Sequence, residues 1–168
     1  YPGAGNLGFG FDPSYAGLDT DFGGRLVFHR HLYGPDSVAV TADVVICRHV
    51  IEHVADPVAL LRSARAALGA SDGARVFFET PCVSWILRNQ VLWDFFYEHC
   101  SLFTVDSLGT AFEAAGFRVE TARCVFGDQY LWLEAVPAQR SSPPRRDAAE
   151  IPELATRYAA AERQLIRA

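Results

Sequence analysis

The chain has 168 residues, 50% apolar and 21% charged, which is one domain's length with enough Val, Leu, Ile and Phe for a real core. Fifteen basic residues against 20 acidic ones leave a formal net charge of -5, which weighs against nucleic acid as a partner. No apolar run approaches the ~18–20 residues that cross a bilayer, and no charged-then-apolar leader opens the chain, so a cytoplasmic protein without a membrane partner is expected.

In chain order, Gly8-Phe9-Gly10-Phe11 reads as a strand stopped by the turn Asp12-Pro13-Ser14, because proline cannot extend a ladder. Arg25 to Phe28 is a second strand. Ala42 to Cys47 is almost continuously apolar, the pattern of a strand covered on both faces. Asp56-Pro57 is an N-cap with proline at the first helical position, and Val58, Leu61, Ala64 and Leu68 recur at helical spacing as far as Gly69. Arg75 to Phe78 is another buried strand, closed by Pro81. Thr104 caps a helix whose inner face is Leu108, Ala111, Phe112 and Ala115, stopped by Gly116. Arg118 to Val125 and Tyr130 to Val136 are joined by Gly127-Asp128 and so should pair antiparallel. Strands alternating with helices and ending in a hairpin describe an α/β sheet with that hairpin at one edge. Residues 139–150, rich in Ser, Pro and Arg, read as a linker. Ile151, Leu154, Tyr158, Ala161 and Leu165 form one stripe of an amphipathic helix over 151–168. Residues 1–138 are then the domain proper.

The chain holds no Met, so Tyr1 reads as a start inside a longer chain, and no Lys, which reads as coding bias. Cys47, Cys82, Cys100 and Cys124 are widely spaced, and buried free thiols are expected rather than a disulfide framework. Gly3-Ala4-Gly5-Asn6-Leu7-Gly8 spells G-x-G-x-x-G, but a dinucleotide fingerprint needs a strand before it and a helix after it. It reads first as a loop and second as a displaced phosphate or cofactor loop. His29 and His31 share a strand face without an evident third ligand, so no metal is expected. Trp132 is assigned to the core. Trp85, Trp93, Phe95, Phe96 and Tyr97 are either core or an apolar lid.

Asp12 stands at the carboxyl end of its strand, where nucleotide-binding α/β proteins grip ribose hydroxyls; a plain Asx-Pro turn is the other reading. The run Arg48-His49-Val50-Ile51-Glu52-His53-Val54-Ala55-Asp56-Pro57 follows a buried strand directly. Its polar side chains therefore line the carboxyl edge of the sheet, where ligands bind in open α/β folds.

This run resembles the post-strand-four motif of class I S-adenosylmethionine-dependent methyltransferases. Gly10 to Tyr15 is similar to their ribose-binding second strand, Leu32-Tyr33-Gly34-Pro35 to the loop after strand three, and Glu79-Thr80-Pro81 to the end of strand five. Trp93 to His99, Phe103 to Leu108 and Asp128 to Leu131 resemble the sugar C-methyltransferase branch, which acts on nucleotide-linked keto-sugars. The resemblance implies a Rossmann-like class I methyltransferase sheet with a terminal antiparallel pair, lacking the first strand–helix unit and its glycine-rich motif. It implies S-adenosylmethionine as cofactor, held by Asp12, Pro13, Tyr33, Arg48 and His49. It implies a small-molecule acceptor of the nucleotide-sugar kind, with His99 as the base that removes an acidic C–H proton. Glu98 would orient His99, and His53 would be a second polar group facing the acceptor. A non-catalytic remnant that binds a partner chain or ligand is the rival reading, and oxygen or nitrogen as methyl acceptor a third. A sheet edge left open by a missing strand, beside residues 8–11, is expected either to drive self-association or to be covered by the chain's own amino-terminal residues.

Overall fold

The protein is described here by a computed structural model covering residues 5–34, 37, 41–68, 73–95, 98–138 and 150–166. These fall into two compact units, within residues 1–39 and 40–168, each described by itself. Gly3 and Ala4 of the glycine motif, Pro35 of Leu32-Tyr33-Gly34-Pro35, the linker up to Ala149, Phe96 and Tyr97 lie outside the described residues.

In the first unit, β1 (Gly8–Phe11) runs parallel to β3 (Leu26–His29), with Phe11 opposite His29, and β2 (Thr20–Asp21) pairs antiparallel with β3. Asp12 ends β1 as expected: its Oδ1 accepts from the Ser14 amide at 2.8 Å and the Ser14 hydroxyl at 2.6 Å, an Asx turn that diverts the chain. Gly10 has no room for a side chain, because a Cβ there would stand 2.6 Å from the Phe28 ring. That ring stacks in turn on Tyr15, centroid to centroid 4.1 Å.

The second unit is a four-stranded sheet in the order β4-β5-β7-β6, with β4 at Val44–Arg48, β5 at Arg75–Pro81, β6 at Phe117–Val125 and β7 at Tyr130–Pro137. β4 and β5 are parallel, and the crossover between them carries α1 (Pro57–Ala67), capped by Asp56 Oδ1 on the Ala59 amide at 2.9 Å. β7 is antiparallel to both β5 and β6, which places the hairpin at one edge. α3 (Val105–Ala114) begins in a capping box between Thr104 and Ser107 and ends before Gly116, whose φ of 89° suits glycine. The core of this unit is built from Leu61, Val76, Phe78, Leu108, Phe112 and Leu133, with Phe78 and Phe112 meeting edge to face at 5.0 Å. α4 (Ile151–Ile166) buries Leu154 and Tyr158 against Val83 and Leu87 of α2 (Val83–Asn89).

The strands pair in two ladders, one in each unit, with no pairing between β3 and β4 among the described residues. Three expectations change. β4 is not covered on both faces: it is an edge strand of its sheet, and Ile46 on its outer face is 66% exposed. Trp132 is half-buried rather than core, because Leu131, Leu133 and Ala135 take the inner face and period-two alternation turns Trp132 outward with Glu134. The thiols are free, but Cys100 is exposed and only Cys82 is fully buried. α2 was not foreseen; Val83, Ile86 and Leu87 at helical spacing are its signal.

Candidate functional site

The polar residues gather at two places, one in each unit. In the first unit they lie where β1 and β3 end. Asp12 is exposed, and its bonds from Ser14 hold the carboxyl below the ordinary carboxylate range, so it is an anion at neutral pH. Pro13 follows in the turn, also exposed. The Phe11 ring stacks on His29 at 4.9 Å and meets Tyr33 edge-on at 5.1 Å and His31 at 5.6 Å. Partial burial pushes the Tyr33 hydroxyl up, keeping it a neutral donor. This is an aromatic ledge beside a carboxylate. His29 and His31 face each other through their rings, 5.5 Å apart.

In the second unit the site grows from the register of β4 on β5, which sets Arg48 opposite Glu79. Glu79 is only 3% exposed, and its Oε1 accepts from Arg48 Nε at 3.1 Å and Nη2 at 2.8 Å. His49 stands on the same oxygen through Nε2 at 3.0 Å. The backbone turns sharply here: His49 has φ 54°, in the left-handed region that a non-glycine residue enters at some cost. Its amide donates to the Glu79 carbonyl at 2.9 Å, and its ring meets Tyr130 edge-on at 4.9 Å, which together hold that conformation. Arg48 and His49, expected at the cofactor, are thus anchored on a buried carboxylate. Glu79 earns its place only through strand pairing, a signal the sequence carries as an acidic residue ending an otherwise apolar strand.

Three residues on, the chain makes a short 3-10 turn over Ile51–His53. Ile51 is fully buried, and Glu52 beside it is 2% exposed, accepting from the Thr80 hydroxyl at 2.9 Å. The segment carrying His99 is fastened to this turn. The Ser101 amide donates to the Glu52 carbonyl at 3.0 Å, and the Cys100 thiol approaches the His53 carbonyl at 3.6 Å. His53 and His99 consequently meet, rings tilted 61° with centroids 4.9 Å apart.

What orients them differs from expectation. His53 Nδ1 lies 3.0 Å from the main-chain carbonyl of Glu98, and His99 Nδ1 lies 2.9 Å from that of Asp94. A carbonyl can only accept, so each Nδ1 carries hydrogen and each neutral ring keeps its lone pair on Nε2. Glu98 therefore contributes its backbone to His53, while its side chain belongs to an exposed residue. Of the suggested lid, Trp93 is exposed, and Phe95 packs on Tyr158 of α4 at 4.8 Å.

Parallel strands with polar side chains at their carboxyl ends are the arrangement in which open α/β folds bind their ligands. The match to a described family, "Methyltransferase domain", spans residues 6–122, and the chain belongs to that family. This is the S-adenosylmethionine-dependent class implied by the run from Arg48 to Pro57. No curated protein matches the sequence. Among solved structures, it is similar to the putative methyltransferase crystallised with the Trm112 methyltransferase activator of Haloferax volcanii: 16% identity, TM-score 0.63, covering 80% of this chain and 73% of that one. It is also similar to the 16S rRNA (adenine(1408)-N(1))-methyltransferase of Catenulisporales acidiphilia, with 19% identity, TM-score 0.54, and 82% and 74% coverage. A third likeness is to NcsB1, an O-methyltransferase of neocarzinostatin biosynthesis solved with S-adenosylmethionine, with 19% identity, TM-score 0.52, and 68% coverage of this chain but only 34% of NcsB1. At these identities the likeness is one of fold.

Proposed function

We propose that the protein transfers a methyl group from S-adenosylmethionine to a carbon of a small, sugar-like acceptor, with His99 as the base. The observation that carries this reading is the His53–His99 pair, in which main-chain carbonyls hold both Nδ1 hydrogens. Two imidazoles are thereby fixed in the tautomer that places the basic nitrogen at Nε2, beside the carboxyl end of β4.

The donor set suits the cofactor. The Asp12 carboxylate offers two acceptors to a vicinal diol such as ribose, and Phe11 and Tyr33 offer ring faces to a purine. Pro13 shapes the turn that presents Asp12. Arg48 spends two of its five N–H groups on Glu79 and is 57% exposed, which leaves donors for a polar ligand. His49, held on the same Glu79 oxygen, is a second polar group at that strand end. When bound, S-adenosylmethionine supplies an electrophilic methyl group on a sulfonium centre.

The remaining chemistry belongs to this chain. A C–H next to a ketone is acidic enough for a positioned imidazole, and His99 Nε2 takes that proton while the acceptor becomes an enolate. The Asp94 carbonyl, on the Nδ1 side, stabilises the imidazolium that forms. His53 meets the acceptor from the neighbouring turn, and orientation of the acceptor carbon supplies much of the acceleration. A nucleotide-linked keto-sugar is the acceptor class with such a C–H that the resemblance implies.

His99→Gln should lower turnover roughly 10²–10⁴-fold, with cofactor affinity nearly unchanged. Glu98→Gln should cost less, since the backbone carbonyl that His53 uses survives it. Wild-type protein should exchange the acceptor's acidic C–H with deuterated water without cofactor, and His99→Gln should not. Exchange retained in that variant would move the base to His53. No exchange in the wild type alongside full turnover would make oxygen or nitrogen the acceptor.

A further inference from the structure

His53, His99 and Glu52 also meet in a way that general base catalysis does not require. One ligand-type atom from each, two imidazole nitrogens and a carboxylate oxygen, lies within 4.8 Å of the other two. Two ligands about 2.1 Å from one tetrahedral ion stand roughly 3.4 Å apart, so side-chain rotations on the order of an ångström close this set around a cation. The surroundings match what metal ligands need. Ligating histidines donate their second N–H to a carbonyl or carboxylate, and ligating carboxylates accept a further hydrogen bond. Here His53 donates to the Glu98 carbonyl, His99 to the Asp94 carbonyl, and Glu52 Oε2 accepts from Thr80. Glu52 is a nearly buried carboxylate whose nearest cationic candidate, His49, stands 3.6 Å away, and a buried anion is stabilised by a bound cation. The Ser101 amide on the Glu52 carbonyl holds the two segments together in advance, so the ordering is done before any ion arrives.

We propose that Glu52, His53 and His99 form a divalent transition-metal site, of the two-imidazole, one-carboxylate kind that takes Zn²⁺ and leaves coordination positions open. Two nitrogen ligands disfavour Mg²⁺ and Ca²⁺, which take oxygen. The site shares His99 with the base assigned above, and in this respect it rests on that reading. Nε2 cannot hold a cation and accept a proton at once, so the metal-loaded and base-competent forms exclude each other and Zn²⁺ is an inhibitor of the carbon transfer.

Titration of the full, chelator-stripped chain with Co²⁺, read by visible d–d absorption, decides between the outcomes. The expected result is one saturable equivalent, displaced by Zn²⁺ and not by Mg²⁺. His53→Gln and His99→Gln should each abolish the band, and Thr80→Val should weaken Co²⁺ about 10- to 100-fold through Glu52 while the far-ultraviolet circular dichroism stays native. No d–d band in the wild type, or the same band in the folded double variant His53→Gln/His99→Gln, overturns the site. Should that variant fail to fold, X-ray absorption of Zn²⁺-loaded wild type substitutes: two imidazoles in the shell support the site, and fewer than two overturn it. The deuterium exchange assay separates this proposal from the base. Loss of exchange on Zn²⁺ loading supports both, whereas a bound ion with undiminished exchange sinks the base and leaves the site standing.

Discussion

Glu52 and Glu79 determine how the polar run after β4 is used. The sequence presents Arg48, His49, Glu52 and His53 as one exposed edge, but Ile51 is driven into the core and carries Glu52 in with it. Glu52 then bonds to Thr80, while Glu79 on the next strand collects Arg48 and His49. Residue types at a strand end were legible; their pairing was not, because strand register is a tertiary property. The cysteines give a direct test at the same scale. Burial pushes the Cys47 thiol up to about 12, and burial beside Cys82, 3.8 Å from it, pushes Cys124 up to about 11. Both stay protonated and poorly nucleophilic at pH 8, whereas Cys100 is exposed. Alkylation followed by peptide mass mapping should label Cys100 first; early labelling of Cys47 would contradict the packing. A thiol pKa raised by folding contributes stability that is full at neutral pH. For Cys47 that contribution should fall as pH climbs from the ordinary 9.0 toward about 12.

Helix ends and strand faces were the most readable elements, since their signals are local. Asp56-Pro57 and Thr104 cap α1 and α3 as their side-chain chemistry dictates, and Gly116 ends the second of these. Thr104→Ala should cost about 1 kcal/mol of stability through the lost cap. Phe112→Ala, removing a fully buried ring that packs on Phe78 and Phe117, should cost about 3–5 kcal/mol. Denaturant unfolding measures both, and equal effects would mean that the capping box and the core are not the separate features described. β4 misled for a physical reason. Its apolar run from Val44 to Cys47 fits burial on both faces, yet Val44 and Ile46 are exposed because neighbours, not composition, decide coverage. α2 escaped notice because its seven residues offer barely two turns of periodicity.

For the whole molecule, the α/β class followed from alternating strands and helices, and the family from motifs spread between Gly10 and Leu131. The division into two ladders did not, since pairing partners distant in sequence leave no local trace. Among the described residues β4 pairs with β5 alone within its ladder and has an apolar outer face, so a second copy of this chain is the partner we expect at that edge. Sedimentation should show concentration-dependent association that Ile46→Lys weakens, and a monodisperse monomer at all concentrations would refute it. No described helix is long and apolar enough to cross a membrane. Whether a nucleoside cofactor is gripped through the carboxylate that ends β1 is decided by calorimetric titration with S-adenosylhomocysteine. The titration should give one site per chain and a loss of about 10- to 100-fold in affinity for Asp12→Ala, the scale of a charged hydrogen bond. An identical dissociation constant for the wild type and Asp12→Ala would contradict it.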